Sequence, residues 1–301
     1  MRTVMGWEHL HAPDLSGRLV VLTGGSDGLC REAALQLARW GADLVLPVRT
    51  PAKGEVVRER IARETGREDA VRLVRLDLAS MASVREGASA IAEAVGDRGI
   101  DVLVHGAGTV LRRREETADG FERALAVNAL APRLLTTLLQ PLVRERIVLV
   151  GSHAHKTGRI DLTDMDFAGG RWSISASYGR SKLTAMLWAL DLAESLRGTA
   201  VDLQIAHPGW VLTNIQNATG SAALDTLVTE VTRPIAMPAA RGAESVLFAV
   251  TQPLPHGSYV GPDGPMGNRG RPTLLRRSDA ANDLALARRV TEWADRRIAG
   301  V

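Results

Sequence analysis

The chain contains little cysteine, lysine or tyrosine and no long apolar run. Its single cysteine, Cys30, excludes an internal disulfide and fits a reducing compartment. No apolar run approaches the roughly 18 residues that a membrane-spanning helix needs, and the opening segment MRTVMGWEHLHAPD lacks the pattern of a signal peptide. The net charge is only +3 and the arginines are scattered, which argues against a nucleic-acid-binding surface. We therefore expect a cytoplasmic protein with no membrane or nucleic-acid partner.

The remaining composition is that of one globular unit. At 301 residues and 45% hydrophobic, the chain can bury one sizeable α/β core. It has neither a Pro/Ser-rich linker nor an internal repeat, so we predict a single domain over residues 1–301 and no metal site. Homo-oligomers stay open. The excess of arginine over lysine and the abundant alanine suggest a GC-rich bacterial genome.

The scarcity of tyrosine and lysine draws attention to one pair. The protein has two tyrosines and three lysines, and Tyr178 and Lys182 lie four positions apart in the run ASYGRSKLTA. The number of such pairs expected by chance in a chain of this composition is about 0.02. On a helix the two side chains share a face. A neighbouring ammonium favours the ionised phenol, so we predict a Tyr178 pKa lowered toward neutrality and a proton donor that works near pH 7.

A glycine-rich turn near the N-terminus predicts a phosphate site. The run RLVVLTGGSDGLCREAALQLARWGA reads as a buried strand, a turn with Gly24, Gly25 and Gly28, and a helix with apolar residues at helical spacing. Backbone N–H groups and the helix dipole would face an anion, and glycine would let a pyrophosphate approach. The next strand, Asp43 to Val48, completes the βαβ unit that this motif requires.

Strand-like and helix-like segments alternate along the chain, which predicts a doubly wound parallel sheet of the α/β class. Ligands of such a sheet bind beyond the carboxyl ends of its strands. A last helix at about 281–298 is predicted to pack through one apolar face. The predicted strands are 18–23, 43–48, 71–76, 101–105, 146–151 and 201–206. The other predicted helices are 29–40, 52–65, 81–95, 117–140, 175–196 and 240–251.

Taken together, these motifs resemble the short-chain dehydrogenase/reductase family over nearly the whole chain. Within it, the segments PDLSGRLVVLTG, LPVRT, SHAHKTG and SYVGPDG are similar to the branch of retinol dehydrogenases and WW-domain oxidoreductase-like proteins. The resemblance implies a Rossmann-type fold and a nicotinamide cofactor. It implies catalytic roles for Asn128, Ser152, Tyr178 and Lys182. It also implies cofactor contacts for a larger set: Thr23, Gly24, Ser26, Asp27, Gly28, Leu29, Asp77, Leu78, Ala107, Gly108, Pro208, Gly209 and Thr213.

The resemblance also implies what each catalytic residue does. Tyr178 would protonate the carbonyl oxygen of a substrate that receives hydride, and Ser152 would donate a hydrogen bond to that oxygen. Lys182 would lower the phenol pKa and hydrogen-bond the nicotinamide ribose. Asn128 would hold a water that relays protons to Lys182, and an asparagine is otherwise unfavourable within a helix.

The residues after the second strand predict NADP rather than NAD. An acidic residue there would bind both ribose hydroxyls and repel a 2′-phosphate, but LVLPVRTPAKG contains no acid. Arg49 follows the strand, and its guanidinium could hold a phosphate by charge-assisted hydrogen bonds. Thr50 could add a hydroxyl, and Lys53 lies one helical turn further on. The alternative is that Arg49 points to solvent.

Two residues depart from the family motifs, and three others lie beside the predicted site. Cys30 replaces the last glycine of the turn, and Gly106 replaces an asparagine at the end of the fourth strand; we predict that Gly106 makes room for Cys30. His153 and His155 flank Ser152 and are more simply structural than catalytic. Trp210 follows the Pro-Gly turn and is a candidate for the substrate pocket.

The substrate is the least determined part of the prediction. A variable flap at about 211–239 would cover it, and we expect an apolar, polyketide-like carbonyl or alcohol compound. The 25 residues between Ser152 and Tyr178 exceed the family's usual dozen, which predicts a loop from about Asp161 to Trp172 near the pocket mouth. The main prediction is an NADP-dependent oxidoreductase. Two alternatives stay open: imine reduction, dehydration or cyclisation on the same fold, and a non-catalytic dinucleotide-sensing regulator.

Overall fold

A single sheet of eight strands lies at the centre of the computed structural model, which describes residues 13–211 and 237–301. The strand order is β3-β2-β1-β4-β5-β6-β7-β8, and every neighbouring pair is parallel except β7 with β8. The strands are β1 Leu19–Thr23, β2 Asp43–Val48, β3 Val71–Arg75, β4 Ile100–His105, β5 Val143–Val150, β6 Asp202–Ala206, β7 Tyr259–Pro262 and β8 Pro272–Leu274.

Helices cover both faces of the sheet. They are α1 Gly28–Arg39, α2 Pro51–Thr65, α3 Met81–Val95, α4 Arg123–Leu125, α5 Ala131–Leu139, α6 Ile174–Ser195, α7 Ala239–Thr251 and α8 Leu284–Ala299, with a π-helical turn at Ala126–Leu130 between α4 and α5. One apolar core forms between the sheet and α3, α5, α6 and α8, and a second forms between the sheet and α1, α2 and α7. The near-continuous apolar strands β1, β2 and β4 are buried because both of their faces are covered.

The architecture confirms the predicted doubly wound parallel sheet, with local differences. The helix predicted at 117–140 begins only at Arg123 because Thr117 and Gly120 form a turn, in which the Thr117 N–H donates to Phe121 O at 2.9 Å. Strands β7 and β8 are short and were not predicted. Of the predicted flap at about 211–239, residues 212–236 lie outside the described residues.

The strand order places the ligand site. The chain passes from β1 outward to β2 and β3, then returns to β4 on the other side of β1. The connections after β1 and β4 therefore leave in opposite directions, and a crevice opens between them at the carboxyl ends of the strands. The glycine-rich turn after β1 and the residues after β4 face each other across this crevice, since Gly24 lies against Ala107.

Candidate active site

A cleft of about 410 Å³ occupies this crevice. Most of the residues predicted to contact the cofactor line it, and Arg49 and Thr50 form its outer end, past β2. The lining residues that were predicted are Thr23, Gly24, Ser26, Asp27, Gly28, Leu29, Arg49, Thr50, Asp77, Leu78, Ala107 and Gly108. Pro208 and Gly209 follow β6, away from this cleft, and Thr213 lies outside the described residues.

The floor of the cleft requires glycine and is shaped for close backbone approach. Gly24 has φ +78°, and a Cβ there would lie 2.8 Å from the Ala107 backbone nitrogen. The Thr23 hydroxyl joins the two sides, because its oxygen accepts N–H bonds from Gly106 at 3.0 Å and Ala107 at 3.3 Å. A Cβ at Gly108 would lie 3.2 Å from Asn128 Oδ1. These close approaches fit a dinucleotide lying across the strand ends.

The outer part of the cleft carries mixed charge. Asp27 caps α1 by accepting the Gly28 N–H at 2.8 Å, and its carboxylate lies 3.5 Å from Lys53 Nζ. Arg49 is exposed, and no ion-pair or hydrogen-bond partner for its guanidinium occurs within residues 13–211 and 237–301. An exposed guanidinium at the cleft's end is available to a phosphate.

Cys30 and Gly106 are direct neighbours under the cleft. The cysteine is buried, and its thiol donates to the Gly106 carbonyl oxygen at 3.5 Å. A Cβ built on Gly106 would overlap the Cys30 sulfur and lie 2.8 Å from Thr23 O. Burial raises the Cys30 pKa to about 12, so the thiol is neutral. The geometry agrees with the expectation that Gly106 leaves space for this thiol.

Asn128 lies in the π-helical turn, buried, with its amide fully used. Its Nδ2 donates to Thr109 O and to Ser181 Oγ, both at 2.9 Å, and its Oδ1 accepts the Thr109 N–H at 2.8 Å. The side chain therefore joins the loop after β4 to α6. π-helical turns concentrate at functional sites, and this one directs a polar side chain from a buried helix toward the cleft.

Ser152 follows β5 and caps a short 3₁₀ turn, His153–Thr157. Its Oγ accepts the Ala154 N–H at 3.2 Å. The Ser152 side chain lies near enough to the Tyr178 hydroxyl to oppose part of the rise in its pKa. The serine hydroxyl also carries a proton that it can donate.

Tyr178 and Lys182 lie on one face of α6, as the spacing predicted, but they do not touch. Lys182 Nζ is 5.9 Å from the Tyr178 ring centroid and donates to Val150 O at 2.8 Å. Burial raises the Tyr178 pKa above its ordinary value and lowers that of Lys182 to about 8. The predicted lowering of the tyrosine pKa is therefore wrong for the protein alone, because desolvation of the phenol outweighs the opposing influence of Ser152.

A pair of stacked histidines lies beside the turn that follows Ser152. His153 and His207 stack with ring centroids 4.1 Å apart, and burial lowers their pKa values to about 4 and about 3. His207 Nε2 donates to Gly267 O at 3.1 Å, and a Cβ at Gly267 would overlap the His153 ring. Met266 has φ +55° and is 81% exposed, so the pair holds a strained turn that presents an apolar side chain.

Trp210 lies close to the same turn. The backbone N–H of Trp210 donates to Asn268 O at 2.7 Å, and the residue is 45% exposed. Two large apolar side chains, Trp210 and Met266, are thus exposed on neighbouring segments after β6 and β7. Trp210 was a sequence candidate for the substrate pocket, whereas nothing in the sequence distinguished Met266.

The long segment between Ser152 and Tyr178 is packed against helices. Met165 and Phe167 are buried, and the Arg180 guanidinium lies 3.6 Å from the Phe167 ring centroid and donates to Arg159 O at 3.0 Å. None of its residues lines the cleft described above. That it borders the substrate stays a prediction.

Sequence reasoning missed several lining residues. The loop after β4 and the start of the next helix contribute side chains without a recognisable motif: Thr109, Val110, Arg112, Arg123 and Val127. Lys53 also lines the cleft, and the sequence had placed it one helical turn beyond Arg49, near the start of α2. Across residues 13–211 and 237–301, no helix is long and apolar enough to span a membrane and no cluster of potential metal ligands occurs.

Comparison with known proteins agrees with this geometry. A family model described as short chain dehydrogenase matches residues 18–223. Retinol dehydrogenase 13 of Homo sapiens is 34% identical over 210 residues, covering 68% of this chain and 62% of that protein. The chain spans about half of a related bovine dehydrogenase, 52%. The "Putative daunorubicin C-13 ketoreductase DnrU" of Streptomyces sp. (strain C5) is 34% identical over 279 residues, covering 89% of this chain and 93% of that protein.

Solved structures share the fold. A crystal structure from Mycobacterium paratuberculosis superposes with a TM-score of 0.79 at 33% identity, covering 98% of each chain. A short chain dehydrogenase from Burkholderia cenocepacia J2315 in complex with NADP gives a TM-score of 0.63 at 26% identity, covering 82% of this chain and 96% of that one. The chain therefore belongs to the short-chain dehydrogenase family, in its retinol dehydrogenase-like branch.

Proposed function

We propose that this protein is an NADPH-dependent reductase of ketones on apolar small molecules. The observation that carries the proposal is the grouping of Ser152, Tyr178 and Lys182 next to the cleft. Lys182 Nζ donates to Val150 O, two residues before Ser152, and lies 3.6 Å from the Cβ position of the cleft residue Gly108. A proton donor, a second hydrogen-bond donor and a cation are the groups that stabilise an oxygen gaining negative charge.

Three features support NADP over NAD. The exposed Arg49 lies at the outer end of the cleft, and Thr50 beside it offers a hydroxyl. No acidic residue follows β2 to repel a 2′-phosphate. A related structure was solved in complex with NADP.

The residues of the site divide the work of carbonyl reduction. Bound NADPH would supply a hydride to the carbonyl carbon. Ser152 donates a hydrogen bond from its hydroxyl to the carbonyl oxygen, while its own oxygen accepts the Ala154 N–H. Tyr178 gives its proton to that oxygen as charge develops, and Lys182 stabilises the resulting phenolate. Asn128 fixes the loop after β4 against α6 and so holds the cleft beside these groups.

The proposed substrate class rests on exposed apolar side chains near the histidine pair that follows Ser152. Trp210 and Met266 expose apolar side chains on neighbouring segments after β6 and β7, and exposed apolar surface can mark a ligand-binding groove. A relative that aligns over 89% of this chain is described as a putative daunorubicin C-13 ketoreductase. We propose a ketone on a large, mainly apolar, ring-containing molecule.

The experiment is a panel assay with NADPH and with NADH. The substrates, supplied one at a time, are aromatic polycyclic ketones, simple aliphatic ketones, all-trans-retinal and cyclic imines. Nucleotide oxidation is followed by absorbance at 340 nm, and the product is confirmed by its mass. We expect turnover of bulky ketones with NADPH. Reduction of imines alone, or tight NADPH binding with no turnover of any compound, would contradict the proposal.

A further inference from the structure

The end of β5 is held from two sides by side chains. On one side, Lys182 Nζ donates to Val150 O at 2.8 Å. On the other, Ser152 O lies 2.6 Å from His155 Nδ1. Between them, the Gly151 N–H donates to Ala206 O at 2.9 Å on the neighbouring strand. Ser152 is therefore fixed through its backbone as well as through its side chain.

The geometry determines which nitrogen of His155 carries the proton. The Ser278 N–H points to Nε2 at 3.2 Å, and a backbone N–H can only donate. Nε2 must therefore be the unprotonated nitrogen. A carbonyl oxygen can only accept, so Nδ1 carries the proton that bonds to Ser152 O. The ring is neutral and in one tautomer, and it is fully buried.

The surroundings of His155 oppose its cationic form. Lys156 and Arg277 lie nearby as positive charges, and His153 approaches with ring centroids 6.5 Å apart. The Tyr259 ring meets the imidazole edge-on at 5.6 Å. Burial and these cations lower the His155 pKa. No carboxylate compensates them among the causes of that shift, and a second proton on Nε2 would break the Ser278 contact.

We propose that His155 is a positioning residue for the carbonyl reduction, a neutral Nδ1–H imidazole that orients the Ser152 hydroxyl and ties it to the C-terminal segment at Ser278. This inference rests on the proposed function. His155 does not reach the cleft, and it acts only through the Ser152 backbone. Loss of the bridge would free the turn whose Ala154 N–H sets the direction of Ser152 Oγ.

The first test separates positioning from general damage. The variant His155→Phe keeps the ring shape and removes both hydrogen bonds, while His155→Asn places an amide donor near the Nδ1 position. We expect kcat to fall about 10–100-fold in His155→Phe, the scale of a misplacement of about 1 Å, with the NADPH Kd unchanged. His155→Asn should recover at least a third of the loss on a logarithmic scale.

The matched control is His256→Phe. His256 also bonds a backbone carbonyl, Ala193 O at 2.6 Å, but outside the site, and its loss should leave kcat unchanged. In a Ser152→Ala background, His155→Phe should lower the residual rate no further. An equal fall in both backgrounds would overturn the proposal, because the histidine would then not be acting through Ser152.

Two further measurements need no turnover and stand even if no carbonyl is reduced. ¹⁵N-histidine NMR, assigned by the signals lost in His155→Phe, should show Nδ1 protonated and Nε2 unprotonated at pH 7. Amide exchange at Ala154 should quicken about tenfold in His155→Phe and not in His256→Phe. An Nε2–H tautomer, or unchanged exchange at Ala154, would overturn the positioning role and leave the proposed function untouched.

Discussion

The proposed nucleotide cleft is built in the opposite way to the proposed catalytic corner, the group formed by Asn128, Ser152, Tyr178 and Lys182. In the cleft, Lys53 is 61% exposed, and the guanidinium of Arg49 has no protein partner among the described residues. In the catalytic corner, Asn128 and Lys182 are at most 5% exposed, and Asn128 uses each amide atom. The cleft thus leaves the Arg49 guanidinium for a ligand, whereas the corner satisfies the polar atoms of Asn128 within the protein.

This difference teaches which properties a substitution can change without damage to the fold. A free, exposed side chain makes its main interaction with the ligand, so its removal alters binding and little else. A buried, fully bonded side chain also supports its neighbours, and its removal leaves unpaired polar groups. Cofactor choice should therefore be easily changed and the chemistry should not.

The largest effect is expected at the corner. Tyr178→Phe removes the proton donor but keeps the ring, so kcat should fall about 10²–10⁴-fold, while NADPH affinity stays the same. Stopped-flow turnover and nucleotide titration measure the two quantities. Tyr259→Phe is the matched control, since its buried hydroxyl has no hydrogen-bond partner in the described structure, and its loss should change neither. Full turnover in Tyr178→Phe would disprove the proton-donor assignment.

The second prediction concerns acid sensitivity of the buried side. Burial lowers the pKa of His105 from 6.5 to about 3, so the folded state keeps it neutral while the unfolded chain takes up a proton. Stability is therefore lost as pH falls from about 6.5 toward 3, on the order of 2 kcal/mol by pH 5 for this residue alone.

His105→Gln tests this while keeping a donor toward Thr136 Oγ1, the 2.7 Å partner of His105 Nε2. Urea unfolding at pH 8 and pH 5 gives the free energy of unfolding of both proteins. The loss between the two pH values should be smaller in His105→Gln by the stated amount. An identical loss would show that His105 does not contribute to the acid sensitivity.

The third prediction sharpens the cleft side of the comparison. Arg49→Ala should weaken NADPH binding by about 1.5 kcal/mol or more, the value of a lost charged hydrogen bond, and leave NADH nearly unchanged. Isothermal titration with both nucleotides measures this. Arg58→Ala, an exposed arginine on α2 paired with Glu55, is the control and should change neither affinity. Equal affinity of the parent for the two nucleotides would remove the NADP assignment.

The smallest effect is expected where the two regions meet. Cys30→Gly and Gly106→Asn should couple by more than about 0.5 kcal/mol in a double-mutant cycle of unfolding free energies, because the Gly106 Cβ position overlaps the cysteine sulfur. Gly106→Asn alone should be the least stable variant. Strict additivity would show that the two departures from the family motifs are unrelated.

The sequence predicted most of the sheet because long apolar strands and periodic helices carry their signal locally. The helix α3 matched at both ends, Met81–Val95, and β2 did as well, Asp43–Val48. The short β7 and β8 escaped because β7 depends on parallel pairing with the distant β6, and β8 depends on antiparallel pairing with β7. The helix start at Arg123 escaped because the turn through Gly120 resembled a continuing helix.

In the site, scarce residue types and glycines could be predicted, and paired environments could not. Tyr178 and Lys182 were found by spacing, yet the separation between them and the burial of the phenol reversed the expected pKa shift. The bond from His155 to Ser278 joins residues far apart in the chain, and no local pattern announces it. Catalytic assignments from the family stay predictions until the variants are measured.

The π-helical turn at Ala126–Leu130 has a consequence for register. It holds one residue more than an α-helix needs, so the helix beyond it is turned by about 100° relative to an uninterrupted one. The buried leucines of α5, Leu134, Leu135 and Leu139, set one orientation, and the hydrogen bonds of Asn128 set another. Deleting any single residue of the turn would force a choice between the core and the site. The additional residue of the turn lets one continuous helix direct its leucines to the core and Asn128 to its hydrogen-bond partners.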